Sequence, residues 1–235
     1  MASHSRTGWS NALPGETLFD WGMSDPTKWN TYFNDCHVYT AGDWVETAVS
    51  AGIGTSATTQ SPEANGVWLM TGAANENDGA WYQLGGTPGV SESWLWDATK
   101  KMFFKARFAL SDATQSDAVF GLHITNTAPA GAITDGIFFK TADASASLTF
   151  EVEKDSTPTS TTVATLANAT FIEVGFYYNP NDGLFHIYAD GVKVAESAST
   201  NAPDDEELAL SWGSIAGAAG VDTSSWDYFL ISQER

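Results

Sequence analysis

The stretch Leu184-Phe-His-Ile-Tyr-Ala-Asp-Gly-Val-Lys-Val-Ala195 leaves few folds open. In an extended chain successive side chains point to opposite faces, so Phe185, Ile187 and Ala189 share one side and Leu184, His186 and Tyr188 the other. Between the two apolar runs stands Asp190-Gly191. A two-residue hairpin loop needs positive φ at both central positions, and Asp-Gly supplies it at low steric cost. The segment therefore reads as an antiparallel hairpin, entered through a second turn, Asn179-Pro-Asn-Asp-Gly183.

The same pattern recurs along the chain. Residues 101–110 place Met102, Phe104, Ala106, Phe108 and Leu110 on one face and Lys105 and Arg107 on the other. Further short strands are expected at 43–49, 66–71, 79–84, 118–125, 136–140, 147–154, 170–178, 184–189, 192–196, 207–213 and 226–233. No run of ten residues keeps helical spacing, and no internal repeat suggests a propeller or solenoid. The expected fold is all-β: an antiparallel two-sheet β-sandwich of jelly-roll type with an irregular N-terminal arm. The arm is placed at residues 1–42 and the sandwich at 43–235. Within the arm, Asp25-Pro26 could open a short helical turn.

Charge excludes one class of partner. Twenty-nine Asp and Glu against ten Lys and Arg give a net charge of −19, and no basic cluster exists to steer a phosphate backbone. No nucleic acid is expected. No apolar run is long enough to span a bilayer, and the N-terminus lacks the apolar core of a secretory signal, so no membrane is expected and synthesis is placed in the cytoplasm. With a single cysteine there is no intrachain disulfide, and Cys36 reads as a buried small hydrophobe.

Side chains able to do chemistry are sparse. His4, His37, His123 and His186 show no metal-ligand spacing, and neither a serine-nucleophile motif nor a phosphate loop is present. Glu173 and His186 look unpartnered. Glu151, Glu153 and Asp155 alternate, so one strand face would carry three carboxylates, read as a solvent-facing strand of an acidic protein. Trp81, Trp94 and Trp96 cluster around a glycine-rich turn, where they could stack on sugar rings, anchor an interface or pack the core. The aromatic-rich N-terminal arm either packs on its own domain or reaches a neighbouring subunit, and in the second case Trp9, Leu13, Phe19, Trp21, Trp29, Tyr32 and Phe33 would make the protein interface.

Two resemblances add to this reading. The run from Val174-Gly-Phe-Tyr-Tyr178 through the Asp190-Gly191 turn resembles the central hairpin of concanavalin A-like and laminin-G-like jelly rolls. That resemblance covers about residues 43–233 and implies the fold but no single activity, since these jelly rolls include lectins, adhesins and glycoside hydrolases. Laminarinase-type hydrolases among them use a Glu-x-Asp-x-Glu strand. Glu151-Val-Glu-Lys-Asp155 is similar but departs from it at the middle and last acids. Laminin-G-like domains often bind calcium at loop carboxylates, so the cofactor expectation is none, with calcium as the candidate ion at 75–78 or 201–207.

The phrases Lys100-Lys-Met-Phe-Phe-Lys-Ala-Arg-Phe108, Leu110-Ser-Asp-Ala-Thr-Gln-Ser-Asp117, Val152-Glu-Lys-Asp-Ser-Thr157 and Asn201-Ala-Pro-Asp-Asp-Glu-Glu-Leu208, with the ending Ser232-Gln-Glu-Arg235, are similar to tailed-bacteriophage capsid decoration (cement) proteins. This implies a non-enzymatic virion protein on the outer capsid surface, bridging major capsid protein subunits as a homotrimer. A lectin-like carbohydrate-binding or receptor-binding module is the alternative, and a glycoside hydrolase comes third.

Overall fold

A computed structural model describes residues 26–50, 56–63, 66–86 and 89–235. Among the described residues fifteen strands form two antiparallel sheets packed face to face. In chain order they are β1 (Trp29–Asn34), β2 (Trp44–Val49), β3 (Ala57–Gln60), β4 (Trp68–Thr71), β5 (Gly79–Leu84), β6 (Met102–Leu110), β7 (Ser116–His123) and β8 (Gly136–Ala142). There follow β9 (Ser145–Lys154), β10 (Thr157–Thr165), β11 (Ile172–Asn179), β12 (Leu184–Ala189), β13 (Val192–Ala198), β14 (Ala209–Ala216) and β15 (Thr223–Glu234). A four-residue helix, α1 (Pro129–Ala132), interrupts the loop between β7 and β8.

The eight-stranded sheet runs β13-β12-β11-β6-β15-β4-β3, with β1 paired to the second half of β15. The seven-stranded sheet runs β10-β9-β8-β7-β14-β5-β2. The hairpin of β12 and β13 forms as its sequence requires: Asp190 has φ 48° and Gly191 φ 76°, both in the left-handed region. Three strands lie outside those expected from sequence. Trp29–Asn34, assigned to the arm, is β1; Ala57–Gln60 pairs with β4 from within the expected loop; Thr157–Thr165 pairs with β9 from Lys154 back to Ser147. Residues 26–28 form a turn, while Asp25, the proposed cap, lies outside the described residues.

Between the sheets the alternating apolar faces meet in two aromatic groups. Phe104, Phe120, Phe139, Phe150, Phe176 and Phe185 interlock with centroids 5.2–6.4 Å apart. Around Trp212 gather Trp44, Trp68, Tyr82, Trp226 and Phe229. Gly213, beside Trp212, has φ 154°, and a Cβ there would overlap the Ala80 carbonyl oxygen. Only glycine lets β14 lie this close to β5.

Candidate functional site on the outer face of the seven-stranded sheet

Register decides what this face presents. Because β9 sends Leu148, Phe150 and Val152 into the core, Thr149, Glu151 and Glu153 point outward. One row across the sheet then reads Gln83, Ser211, Gly121, Phe138, Glu151, Ser160, and the row beside it His123, Gly136, Glu153, Pro158.

The face divides into two halves. On the β5–β14–β7–β8 side an apolar patch of Trp81, Val119, Phe138 and Ile215 is buried under Ile133, which follows α1. Gln83 ties down the loop leading there: its amide donates to the Ile124 carbonyl at 3.2 Å and to Ser211 Oγ at 3.0 Å, and its Oε1 accepts from the Asn126 N–H at 2.9 Å. His123 Nδ1 donates to the Ile124 carbonyl at 2.7 Å, so Nδ1 carries the proton. Burial lowers its pKa to about 4, keeping the ring neutral at ordinary pH.

On the β8–β9–β10 side the face is polar. Lys140 Nζ lies 2.7 Å from Glu151 Oε2, and Ser160 Oγ donates to Glu151 Oε1 at 2.6 Å. Glu151 is 4% exposed and Glu153 8%. Burial raises the pKa of Glu153, as do the nearby charges of Glu151 and Asp135, while Lys140 pulls it down. Asp135 accepts the Asp155 N–H at 3.0 Å, and the Ser156 N–H bonds the Thr134 carbonyl at 2.8 Å, so the loop before β8 is clamped to the turn after β9.

Several sequence expectations change here. The carboxylate strand is not freely exposed: Glu151 and Glu153 are 4% and 8% exposed, flanked by side chains of the neighbouring strands such as Lys140 of β8 and Ser160 of β10. Asp155 is not the third acid of a strand face; with φ 51° it sits in the turn. Glu173 and His186 are partnered: Lys105 Nζ is 2.7 Å from Glu173, Tyr228 Oη donates to Glu173, and His186 Nε2 lies 2.9 Å from Asp182. Trp81, Trp94 and Trp96 are all buried and offer no sugar-stacking surface. Cys36 is fully buried, and burial pushes its thiol pKa up.

The expected interface residues separate. Trp9, Leu13, Phe19 and Trp21 lie outside the described residues. Trp29 packs on Phe103, with centroids 5.6 Å apart, on the outer face of the eight-stranded sheet, and Tyr32 meets Trp94 edge-on. Phe33 stands 51% exposed. At the proposed calcium loops, Asp78 is buried and accepts from Asn75, while Asp204 and Asp205 pair with Lys154. Among the described residues no group of three or more His, Cys, Asp or Glu is arranged to hold a metal. No helix among them is long and apolar enough to cross a membrane.

A cavity of about 240 Å³ lies away from the carboxylates, lined by Ser111, Asp112, Gln115 and the 216–222 segment. Near it Asp117, pushed up to about 6 by burial and by Asp143 and Asp222, has a buried Oδ1 without a hydrogen bond. The folded chain holds that proton more tightly than the unfolded chain does. Asp117 therefore contributes stability below the unfolded pKa that is lost as pH rises through about 6. Asp117→Asn should stabilise the fold by about 1 kcal/mol above about pH 7, allowing for partial solvent screening, and by little below about pH 4. Thermal midpoints measured across pH check this.

No protein-family model matches the chain, and no curated protein does. The fold, however, is shared with solved structures. A prokaryotic β-1,3-1,4-glucanase (lichenase) derived from a mouse hindgut metagenome superposes with a TM-score of 0.58 at 12% identity, covering 86% of this chain and 98% of that one. A native glycosidic hydrolase gives 0.57 at 12% identity over 86% and 94%. Peanut lectin gives 0.51 at 7% identity over 87% and 97%. The chain is thus a concanavalin A-like jelly-roll β-sandwich.

At these identities the likeness is one of fold, yet it corrects one expectation. The non-enzymatic reading inferred from sequence does not stand. The fold is one that glycoside hydrolases use, and the supposedly solvent-facing acids are a buried pair on an outer sheet face.

Proposed function

We propose that the chain is a carbohydrate-recognising jelly-roll protein whose ligand lies across the β8–β9–β10 half of the seven-stranded sheet. The observation that carries this is the buried pair Glu151 and Glu153, set beside Lys140 and Ser160 on an outward face. Fixed carboxylates and an ammonium are hydrogen-bonding partners suited to sugar hydroxyls, and such groups are rarely buried on a sheet exterior without a role. Solved structures with this fold include a lectin and a glucanase, which supports the reading by analogy of fold. A glycan array should return saturable binding to at least one polysaccharide class. Silence across the array would end the proposal. Release of reducing sugar from a bound glycan, lost in Glu151→Gln, would add hydrolysis to recognition.

A second reading keeps the resemblance to capsid decoration proteins. Its specific support is Phe33, 51% exposed on β1, in a strongly acidic protein. In this reading the partner is a major capsid protein, the assembly a homotrimer and the location the outer face of a virion. Mass spectrometry of purified particles decides it: copies in the hundreds support decoration, and absence from the particle removes it.

A further inference from the structure

The connections from β6 to β7 and from β14 to β15 pass between the sheets at the same end of the sandwich. They are tied to each other there. The Gly217 N–H donates to the Gln115 carbonyl, the Ser111 N–H to the Thr223 carbonyl at 2.8 Å and the Thr223 N–H to Ser111 Oγ at 2.8 Å. Between the two connections lies the cavity of about 240 Å³. Its wall carries acid and no base. Asp112 and Asp222 line it with Ser111 and Gln115, and among the described residues no lysine, arginine or histidine does. Asp222 is 8% exposed and accepts from Ser111 Oγ, a neutral donor that offsets no charge. More negative charge stands close by: Asp143 and Asp222 act on Asp117, and Asp112 acts on Asp222, in each case raising the pKa. Asp117 Oδ1 is buried and receives no hydrogen bond. A cleft of one sign of charge between low-dielectric walls focuses its field and concentrates counter-ions.

The rest of the lining selects the kind of cation. Ala218, Ala219 and Val221 give the cleft an apolar side, and Val221 stands 63% exposed at its rim. Calcium wants six to eight oxygens, and among the described residues no three acids are arranged to hold a metal. A guanidinium fits better. It is weakly hydrated, donates in a fork to carboxylates, and trails an aliphatic stem that alanine and valine can cover. We infer that this cleft takes an arginine side chain presented by a partner protein, its guanidinium facing Asp112 and Asp222 and its methylenes lying on Ala218, Ala219 and Val221. The exposed apolar rim favours a protein source over a free amine, because only a surface around the arginine would cover Val221 as well. The cleft lies apart from Glu151 and Glu153, so its occupancy does not depend on glycan binding.

A net charge of −19 attracts any cation weakly, so the test must separate the cleft from the whole surface. Amide chemical shifts of the full chain, followed by NMR, do this residue by residue. A tripeptide with arginine between two glycines should shift the amides of Gly217, Gly220, Val221 and Asp222 saturably, with a dissociation constant on the order of millimolar. The same tripeptide with citrulline, which keeps the shape and loses the charge, should bind at least about tenfold more weakly. Asp112→Asn keeps an oxygen to accept the Thr114 N–H and Oγ, so the turn survives, and it should weaken arginine binding by about threefold or more. Glu206→Gln, which removes an exposed charge elsewhere, should leave binding unchanged. Shifts scattered over the surface rather than gathered at these amides would overturn the inference. So would equal binding of the citrulline peptide, or an equal loss in Asp112→Asn and Glu206→Gln. Saturation of the same amides by calcium or putrescine at lower concentration than by the arginine peptide would also overturn it, leaving a metal or polyamine site in its place.

Discussion

Trp212→Ala is expected to lower stability by about 4 kcal/mol, the middle of the range for deleting a buried aromatic. The ring is 1% exposed and stacks on Tyr82 at 4.3 Å with an 18° interplanar angle. It also meets Trp44 at 5.7 Å, Trp68 at 5.5 Å, Trp226 at 5.4 Å and Phe229 at 5.8 Å. Tyr82, Trp44 and Trp212 come from the seven-stranded sheet, and Trp68, Trp226 and Phe229 from the other, so this one side chain joins both layers. Its truncation leaves a cavity among rings anchored to separate strands, and rigid rings relax poorly into a void. In a domain of this size the thermal midpoint should fall by about 8–16 °C. The indole N–H has no hydrogen-bond partner, so the loss is one of packing alone. Trp212→Phe, which keeps a ring and removes that N–H, should therefore cost only about 1 kcal/mol. Equal losses in the two variants would show that ring packing is not what Trp212 contributes.

The contrast between β6 and β10 explains which parts of this fold the sequence exposes. Along β6, Met102, Phe104, Ala106, Phe108 and Leu110 are buried against the opposite sheet while Lys105 and Arg107 face out, so the alternation is written in residue type. The hairpin at Asp190-Gly191 is legible for the same reason, with backbone chemistry added. β10 is an edge strand whose threonines and serines stay exposed or half-buried, with Val163 its one buried residue. With nothing to bury, it carries no period to read. Its place is set by β9, which pairs with it from Thr157 to Thr165. β1 and β3 are short strands whose pairing with β15 and β4 is decided by tertiary contacts.

The site was half legible. Alternation alone puts Glu151 and Glu153 on one face of one strand. Their burial depends on Lys140 and Asp135 from or beside β8 and on Ser160 from β10, partners 9 to 18 residues away that only the register brings together. Gln83 and Ser211 were likewise invisible. They lie 128 residues apart in sequence, and nothing in either local pattern marks them as partners.

Lys140→Met should be the most damaging single change on the polar face. Its ammonium is the cation beside Glu151, whose side chain is 6% exposed, while the lysine side chain itself is 33% exposed. Breaking a fully buried pair by removing one partner costs about 3–5 kcal/mol; with one partner part-way into solvent, about 2 kcal/mol is expected at neutral pH. The pH dependence follows from Glu153, whose folded-state pKa is already raised and loses the one neighbouring charge that lowers it. A carboxyl raised in the folded state stabilises fully below its unfolded pKa, and that contribution disappears as pH rises through the folded pKa. The deficit of Lys140→Met relative to the parent should therefore widen from about pH 4 to pH 8. Adding Glu151→Gln removes the stranded charge and should recover at least half of the loss at neutral pH, a coupling that a double-mutant cycle in urea measures directly. If the two substitutions add independently and the deficit is flat across pH, Lys140 is a packing residue rather than the counter-charge that lets two carboxylates stand buried on this face.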